Sequence, residues 1–140
     1  MTDNQVPLLT SDDPLEWYQR QDQALFLADA IDGTAGAAMT VGFARYAAGE
    51  ENEWTVSYDE ALVVTKGRFE VVAESGVTTA GPGQVIYLYA GTPLTYRAVE
   101  EAELVYVSYP HWMQATLDSP HADKLDDFHP VPINQATFAR

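Results

Sequence analysis

The sequence predicts an all-β domain, built as a sandwich or a barrel. Short apolar or alternating segments recur roughly every 8–12 residues after the first 23 residues, and clusters of Gly and Pro separate them. No segment of this region has the long apolar period of an amphipathic helix. With 140 residues the chain has the size of one domain and needs no disulfide to bury a core.

The first two strands are expected at residues 24–31 and 39–47. The first segment is apolar and ends at an Asp-Gly pair, which favours a turn. The second segment alternates, so that Val41, Phe43 and Arg45 share one face of the strand.

Six further strands are expected before residue 110. A Lys-Gly pair at residues 66–67 links two of them tightly, and turn clusters at residues 81–83 and 90–93 bracket another. The predicted strands cover residues 54–58, 61–65, 68–73, 84–89, 93–99 and 102–109.

Both ends of the chain depart from this pattern. Residues 1–23 are polar and predict an N-terminal arm, residues 24–112 a barrel, and residues 113–140 a C-terminal segment that packs on or near the barrel. We expect one or two helical turns within residues 111–127, followed by an extended tail that contains two prolines.

All three histidines lie in the C-terminal part of the chain, at positions 111, 121 and 129. Their wide spacing favours surface histidines over a metal site. His111 follows the last predicted strand directly, so it is the best placed to reach the mouth of the barrel as an acid or a base. We therefore treat His111 as a candidate ligand-binding residue.

The composition of the chain limits the classes of partner and the location that we expect. The formal charge of −14 repels phosphate backbones and anionic lipid, so we expect neither nucleic acid nor a membrane as a partner. The absence of cysteine excludes disulfides and thiolate metal sites and fits a reducing compartment. No apolar run approaches the roughly 20 residues of a membrane span, and the N-terminus has neither a basic start nor an apolar block. We expect a cytoplasmic protein.

Residues 54–67, W-T-V-S-Y-D-E-A-L-V-V-T-K-G, resemble the first signature of the cupin barrels. Glu60 and Gly67 stand at the separation that this signature has. The two histidines that usually precede the glutamate in this signature are replaced by other residues. Depending on how the gap is counted, their places hold Trp54 and Val56 or Glu53 and Thr55.

The second cupin signature is matched at Gly83 and Gly91, whereas Leu94 stands in place of its histidine and Ala98 in place of its asparagine. The resemblance implies a single cupin-type β-barrel, also described as a jelly roll or double-stranded β-helix. A transition metal in such a barrel needs two or three imidazoles beside a carboxylate, and the chain does not offer them. We expect no metal and no other cofactor.

Further segments resemble the EutQ-like cupins of ethanolamine utilisation, over residues 39–112. They are W-T-V-S-Y-D-E, A-G-P-G-Q-V-I-Y and A-E-L-V-Y-V-S-Y-P-H-W, and the positions that fit are Trp54, Tyr58, Asp59, Glu60, Gly67, Tyr106, Tyr109 and Pro110. The resemblance implies a small dimeric cupin, and acetate kinase activity with ATP is attributed to one family member. The sequence itself contains no Gly-rich phosphate loop leading into a helix and few basic residues.

Strand alternation predicts the lining of the barrel. If Glu60 points inward, the even-numbered positions around it do so as well, and the odd positions, Asp59 among them, point outward. By the same reasoning Leu94 and Tyr96 point inward. The predicted cavity is lined by Trp54, Tyr58, Glu60, Leu94 and Tyr96, with Phe43 and Arg45 as further candidates for ligand binding.

Two roles are open for Glu60. A carboxyl among aromatic rings has a raised pKa, which suits a general acid or base near neutral pH, and Tyr58 or Tyr96 would then orient or polarise a substrate carbonyl. In the alternative, Glu60 pairs with Arg45 or accepts a hydrogen bond from a tyrosine, and only fixes the core. We list Glu60 and Tyr58 as candidate catalytic residues.

These observations lead to four hypotheses of function. The first is a metal-free cupin that binds a small organic metabolite in its barrel. The second is a metal-independent lyase, dehydratase or isomerase, the third is a small-molecule kinase implied by the resemblance alone, and the fourth is a scaffold without a ligand. Tyrosines at positions 87, 89, 106 and 109 alternate with aliphatic residues and predict an exposed face that forms a homodimer.

Overall fold

A computed structural model describes residues 6–132 and 135–136, and in this part the chain folds into two antiparallel sheets. The strands are β1 (Trp17–Arg20), β2 (Leu25–Ile31), β3 (Thr40–Tyr46), β4 (Glu51–Thr55), β5 (Asp59–Lys66), β6 (Phe69–Ala73), β7 (Gly76–Ala80), β8 (Val85–Leu88), β9 (Pro93–Ala98), β10 (Ala102–Tyr109) and β11 (Phe128–Val131). Helix α1 covers Trp112–Leu117, and two short 3-10 helices cover Gly33–Ala35 and Ala122–Asp127.

The two sheets enclose one hydrophobic core. The larger sheet has the strand order β11-β1-β2-β3-β10-β5-β8, and the smaller sheet has the order β4-β9-β6-β7. Side chains of both sheets meet in the core, for example Tyr46 of β3 and Phe69 of β6, whose rings lie 4.9 Å apart. The all-β class and the cupin-type barrel predicted from the sequence are confirmed.

Strand alternation governs which side chains enter this core. Every even-numbered residue from position 52 to position 64 is buried, and the odd-numbered residues between them are half-buried or exposed. The alternation continues through the bend between β4 and β5 because Val56 is held there by backbone hydrogen bonds with Thr92 and Gly91. The inward direction predicted for Trp54, Tyr58 and their even-numbered neighbours is confirmed.

Several element bounds differ from the prediction. The third strand was expected at residues 54–58, but β4 is Glu51–Thr55, and Tyr58 lies in the bend that follows it. Strand β7 was not expected, because its short sequence has no apolar alternation. In the structure this strand is largely exposed. Within the expected arm, β1 pairs with both β2 and β11 and so joins the larger sheet.

A smaller cluster covers the outer face of the larger sheet. It is built from Trp17, Phe26, Ala28 and Ala136, with Phe43 packed against it. Part of the predicted extended tail forms β11, and residues 133–134 and 137–140 of that tail lie outside the described residues. Within the described residues, no helix is both long and apolar enough to cross a membrane.

Candidate functional site

Glu60 is the central polar group of the barrel interior. It lies on β5 with only 6% of its surface exposed, and the hydroxyl of Tyr96 on β9 donates a hydrogen bond to its Oε1 at 2.6 Å. Burial raises the pKa of Glu60 from 4.5 to about 7, and the hydrogen bond from Tyr96 opposes this rise. The carboxyl therefore exchanges its proton close to neutral pH.

A directed chain of hydrogen bonds leads to Glu60. The indole Nε1 of Trp54 donates to the Tyr58 hydroxyl at 2.8 Å, Tyr58 is hydrogen-bonded to Tyr96, and Tyr96 donates to the carboxylate. Burial is the main reason why the pKa values of Tyr58 and Tyr96 lie well above the ordinary value. Both phenols therefore stay protonated and act as hydrogen-bond donors.

A cavity of about 50 Å³ adjoins these residues. Aromatic and aliphatic side chains form most of its wall, including Trp112 of α1 and Phe128 of β11, whose rings contact Trp54 edge to face. Its polar side chains are Tyr46, Asn52, Tyr58, Glu60, Tyr96 and Tyr106. Residues that follow β10 in the chain thus form part of the cavity wall.

Asn52 is a polar side chain of this cavity with an oxygen that has no partner in the described part of the chain. It is 4% exposed, and its side-chain oxygen Oδ1 has no hydrogen-bond partner among the described residues. A side-chain hydrogen bond links Asn52 to the hydroxyl of Tyr46. Burial raises the pKa of Tyr46, and this bond opposes the rise. Since Oδ1 is free, the amide nitrogen of Asn52 is the donor in this bond.

The structure brings four of the predicted site residues together around the cavity: Trp54, Tyr58, Glu60 and Tyr96. Leu94 points inward as expected and is 5% exposed, but it lies opposite Trp54 in the β4–β9 pair and does not line the cavity. The roles assigned to these residues stay predictions.

The predicted placement of Phe43 and Arg45 in the cavity is wrong. The inward residues of β3 are the even-numbered ones, so Phe43 and Arg45 lie on the outer face of the sheet. The guanidinium of Arg45 lies 4.4 Å from the centre of the Trp17 ring and donates to the backbone oxygen of Ala136 at 2.6 Å. Arg45 is therefore not the partner of Glu60, and the alternative of a tyrosine hydrogen bond is the one that the structure contains.

His111 reaches a different cavity. Its Nδ1 is hydrogen-bonded to Oγ1 of Thr40 at 2.7 Å, and it lines a second cavity of about 530 Å³ outside the barrel interior. Asp29 lines the same cavity and accepts hydrogen bonds from the Tyr106 hydroxyl at 2.6 Å and from Trp112 Nε1 at 2.9 Å. Burial raises the pKa of Asp29, and these two bonds counteract the rise.

The two cavities share a wall. We call the cavity beside Glu60 the inner cavity and the cavity beside His111 and Asp29 the outer cavity. Leu27 and Trp112 line both of them. Tyr106 lines the inner cavity, and its hydroxyl donates to Asp29 at the outer cavity. Sequence reasoning missed Asp29, and it assigned Tyr106 to an exposed face, although Tyr106 is 5% exposed. Asn52 was missed because the predicted strand starts at residue 54. Extending the same alternation by two residues toward the N-terminus includes Asn52.

Asp59 lies outside the barrel, as the alternation predicts. It accepts hydrogen bonds from the hydroxyl of Tyr87 and from the backbone N–H of Ala90, the latter at 2.8 Å. These bonds lower the pKa of Asp59. Asp59 and Glu60 therefore do not converge on one substrate.

The donor set of the inner cavity does not fit the divalent metal that cupin barrels commonly hold. Glu60 is the one carboxylate among the described residues that line this cavity, and no imidazole lines it. Throughout residues 6–132 and 135–136, no group of three His, Asp or Glu side chains is arranged to hold a metal ion. The side chains of this cavity that can move or hold a proton are Glu60 and the tyrosines around it.

Two antiparallel sheets around an interior cavity define this chain as a cupin. A region of a transcriptional regulator from Enterobacter cloacae, described as a cupin domain, has the same fold with a TM-score of 0.55 and 18% identity, over 62% of this chain and 97% of that one. The family model for "Ethanolamine utilisation protein EutQ" matches residues 15–115. The chain therefore belongs to the EutQ family.

Individual relatives agree with this assignment. The acetate kinase EutQ of Escherichia coli strain K12 is 29% identical over 87 residues, which are 60% of this chain and 36% of the relative. A crystal structure described as an ethanolamine utilization protein Q from Salmonella typhimurium LT2 superimposes with a TM-score of 0.61 and 26% identity, over 66% of this chain and 78% of that one. The chain spans little more than a third of the curated relative it matches.

Proposed function

We propose that this chain is a EutQ-family cupin that binds a small organic metabolite in the barrel cavity beside Glu60. The observation that carries the proposal is a buried carboxyl that faces a cavity with one of its two oxygens bound by Tyr96. Burying a carboxyl is costly, and proteins keep such groups chiefly where they bind or react with something.

The size of the cavity limits the ligand. A volume of about 50 Å³ accommodates roughly four water-sized groups, whereas pockets for drug-sized ligands measure roughly 300–1,000 Å³. The ligand that we propose therefore has few non-hydrogen atoms. It would enter by displacement of the aromatic rings of Trp112 and Phe128, which belong to the segment after the barrel.

An acid–base enzyme is the second candidate, and the pKa of Glu60 favours it. A pKa of about 7 allows the carboxyl to take up and release a proton at neutral pH. Tyr58 and Tyr96 stay protonated, and Tyr96 would donate to a substrate oxygen in place of Glu60 when the carboxyl takes up the proton. A metal-independent lyase, dehydratase or isomerase uses such a step.

The kinase activity in the name of the Escherichia coli relative has less support in this chain. A nucleotide is far larger than the inner cavity, and the described residues that line this cavity include neither Lys nor Arg. The match covers about a third of that relative, so the activity in the name of the whole relative is not assigned to this chain.

Calorimetry and thermal-shift screening against small metabolites test the proposal. We expect a ligand of few non-hydrogen atoms to stabilise the wild type and to lose affinity in Glu60→Gln, whereas Glu53→Gln on the exposed side of β4 should bind it normally. If no small metabolite binds the wild type, the binding proposal is wrong. For the enzyme alternative, Glu60→Gln must abolish turnover in a protein that remains folded.

We also propose that the chain forms a homodimer. Val85, Tyr87, Tyr89 and Tyr109 expose between 53% and 72% of their surface on or next to neighbouring strands, an arrangement that monomers rarely leave uncovered. Sedimentation should give a dimer for the wild type and a monomer for Val85→Lys, while Val77→Lys on β7 serves as a control. A wild-type monomer at high concentration would contradict this proposal.

The cysteine-free composition suggests a cytoplasmic location, which fractionation of the native cells would test.

A further inference from the structure

Most hydrogen-bond donors around the inner cavity are already used within the protein. Trp54 donates to Tyr58, and Tyr96 donates to Oε1 of Glu60. Tyr106 and Trp112 both direct their donors away from the cavity, to Asp29. A ligand that only accepts hydrogen bonds, such as a ketone or an aldehyde, therefore finds few donors here.

The free groups of the cavity are mainly acceptors. Oδ1 of Asn52 is buried without a partner, and Oε2 of Glu60, which has no donor among the described residues, is an acceptor when the carboxyl is ionised. The hydroxyl of Tyr46 accepts from Asn52, and its own hydrogen has no acceptor in the described part of the chain. With Glu60 ionised, two acceptor oxygens are thus left for a ligand, and the Tyr46 hydroxyl offers a donor hydrogen.

We propose that the inner cavity takes a small alcohol, whose hydroxyl donates to Asn52 Oδ1 or to the free oxygen of Glu60 and accepts from the Tyr46 hydroxyl. This inference rests on the proposed function and specifies the chemical class of its ligand. A carbonyl oxygen could accept from the Tyr46 hydroxyl but would leave Asn52 Oδ1 and the free oxygen of Glu60 without a donor. An ammonium group could donate but could not accept from Tyr46, and its charge would lose its hydration inside an apolar wall.

Three probes of equal size separate these classes. 2-Propanol, acetone and isopropylamine have the same number of non-hydrogen atoms and nearly the same shape, and differ in the polar group. Each is titrated into the full chain while the indole N–H signals of Trp54 and Trp112, which border the cavity, are followed by NMR. We expect 2-propanol to bind about fivefold more tightly than either other probe, the ratio that one hydrogen bond supplies.

Each outcome of this titration has one meaning. Equal or tighter binding of acetone means that the Asn52 amide donates to the ligand, and equal or tighter binding of isopropylamine means that the site selects a cation. Either result overturns the inference and leaves the proposed function intact. If none of the three probes shifts the indole signals, the inference is overturned, and the proposed function is then decided by the wider metabolite screen.

Asn52→Leu tests the role of the amide at nearly constant volume. In this variant the fivefold preference for 2-propanol over acetone should disappear, and the affinity for acetone should be unchanged. Thr95→Val, on the opposite face of the neighbouring strand, is the control and should keep the preference. If Asn52→Leu does not fold, Tyr46→Phe removes the other polar contact, and an undiminished preference in that variant overturns the inference.

Discussion

The ionisation of Glu60 makes the stability of the fold depend on pH in a defined window. The unfolded chain loses this proton near pH 4.5 and the folded chain near pH 7, so between these values the folded state holds a proton that the unfolded state has lost. The free energy of unfolding therefore falls as the pH rises through this interval, and it levels off above the upper value.

The magnitude follows from the two pKa values. A rise from 4.5 to about 7, at about 1.4 kcal/mol per pH unit, corresponds to about 3 kcal/mol. Because Glu60 is almost completely buried, solvent screening does not reduce this figure appreciably. Glu60→Gln has no carboxyl to ionise at this position, and its amide oxygen can still accept from the Tyr96 hydroxyl. The free energy of unfolding of this variant should therefore not show this fall with pH.

Urea unfolding of both proteins, followed by tryptophan fluorescence from about pH 4 to about pH 8.5, measures the effect. The stability of Glu60→Gln relative to the wild type should increase by about 3 kcal/mol across this range. Other carboxyls titrate equally in both proteins and cancel in the difference. Glu53→Gln removes an exposed carboxyl from β4 and should produce no such change. A difference between Glu60→Gln and the wild type that stays constant with pH would refute the assignment of a raised pKa to Glu60.

Three further substitutions test separate contacts. Tyr96→Phe removes the donor to Glu60 and should move the pKa of that carboxyl above about 7, at a cost of about 1–3 kcal/mol at higher pH, measured in the same unfolding series. Gly42→Ala should destabilise by about 2–3 kcal/mol in thermal unfolding, because an added Cβ would lie 2.2 Å from Cζ of Tyr106. Arg45→Met keeps the stem of the side chain and loses the cation–π contact and the bond to the C-terminal segment, which should cost about 1–2 kcal/mol in urea unfolding.

Each of these predictions has a control or a contradicting result. Gly81→Ala is the control for Gly42→Ala, because its added Cβ would meet no atom closer than 3.9 Å, and equal effects of the two would contradict the steric argument. A pH midpoint that does not move in Tyr96→Phe would mean that its hydroxyl does not bind the carboxylate. An Arg45→Met protein as stable as the wild type would mean that the contact with Trp17 contributes nothing.

The part of the site that follows from local geometry could be predicted from the sequence. Side chains along a strand alternate because the pleat allows no other arrangement, so the inward direction of Trp54, Tyr58 and Glu60 follows once one of them is assigned. Tyr96 was found in the same way on β9. Each of these assignments uses residues of one strand or of two strands joined by a short link.

The remainder depends on how distant segments pair. Alternation alone shows that Phe43 and Arg45 share a face, but the partners of β3, which are β2 and β10, decide which face is inside. Asp29 precedes a register shift between β2 and β3, and such a shift is not encoded in a local pattern. The bonds from Tyr106 and Trp112 to Asp29 span 77 and 83 positions of sequence, so only the assembled fold reveals them.

Tyr106 connects the inner cavity to Asp29 at the outer cavity. Its ring is part of the inner wall and its hydroxyl donates to Asp29, and its pKa is raised by burial first and then by the negative charges of Asp29 and Glu60. A molecule in the inner cavity that displaced this ring would also disturb its hydrogen bond to Asp29, and any such coupling between the cavities would be equal in both directions. Gly42 leaves the space in which that ring lies, so this reciprocity depends on a residue with no side chain.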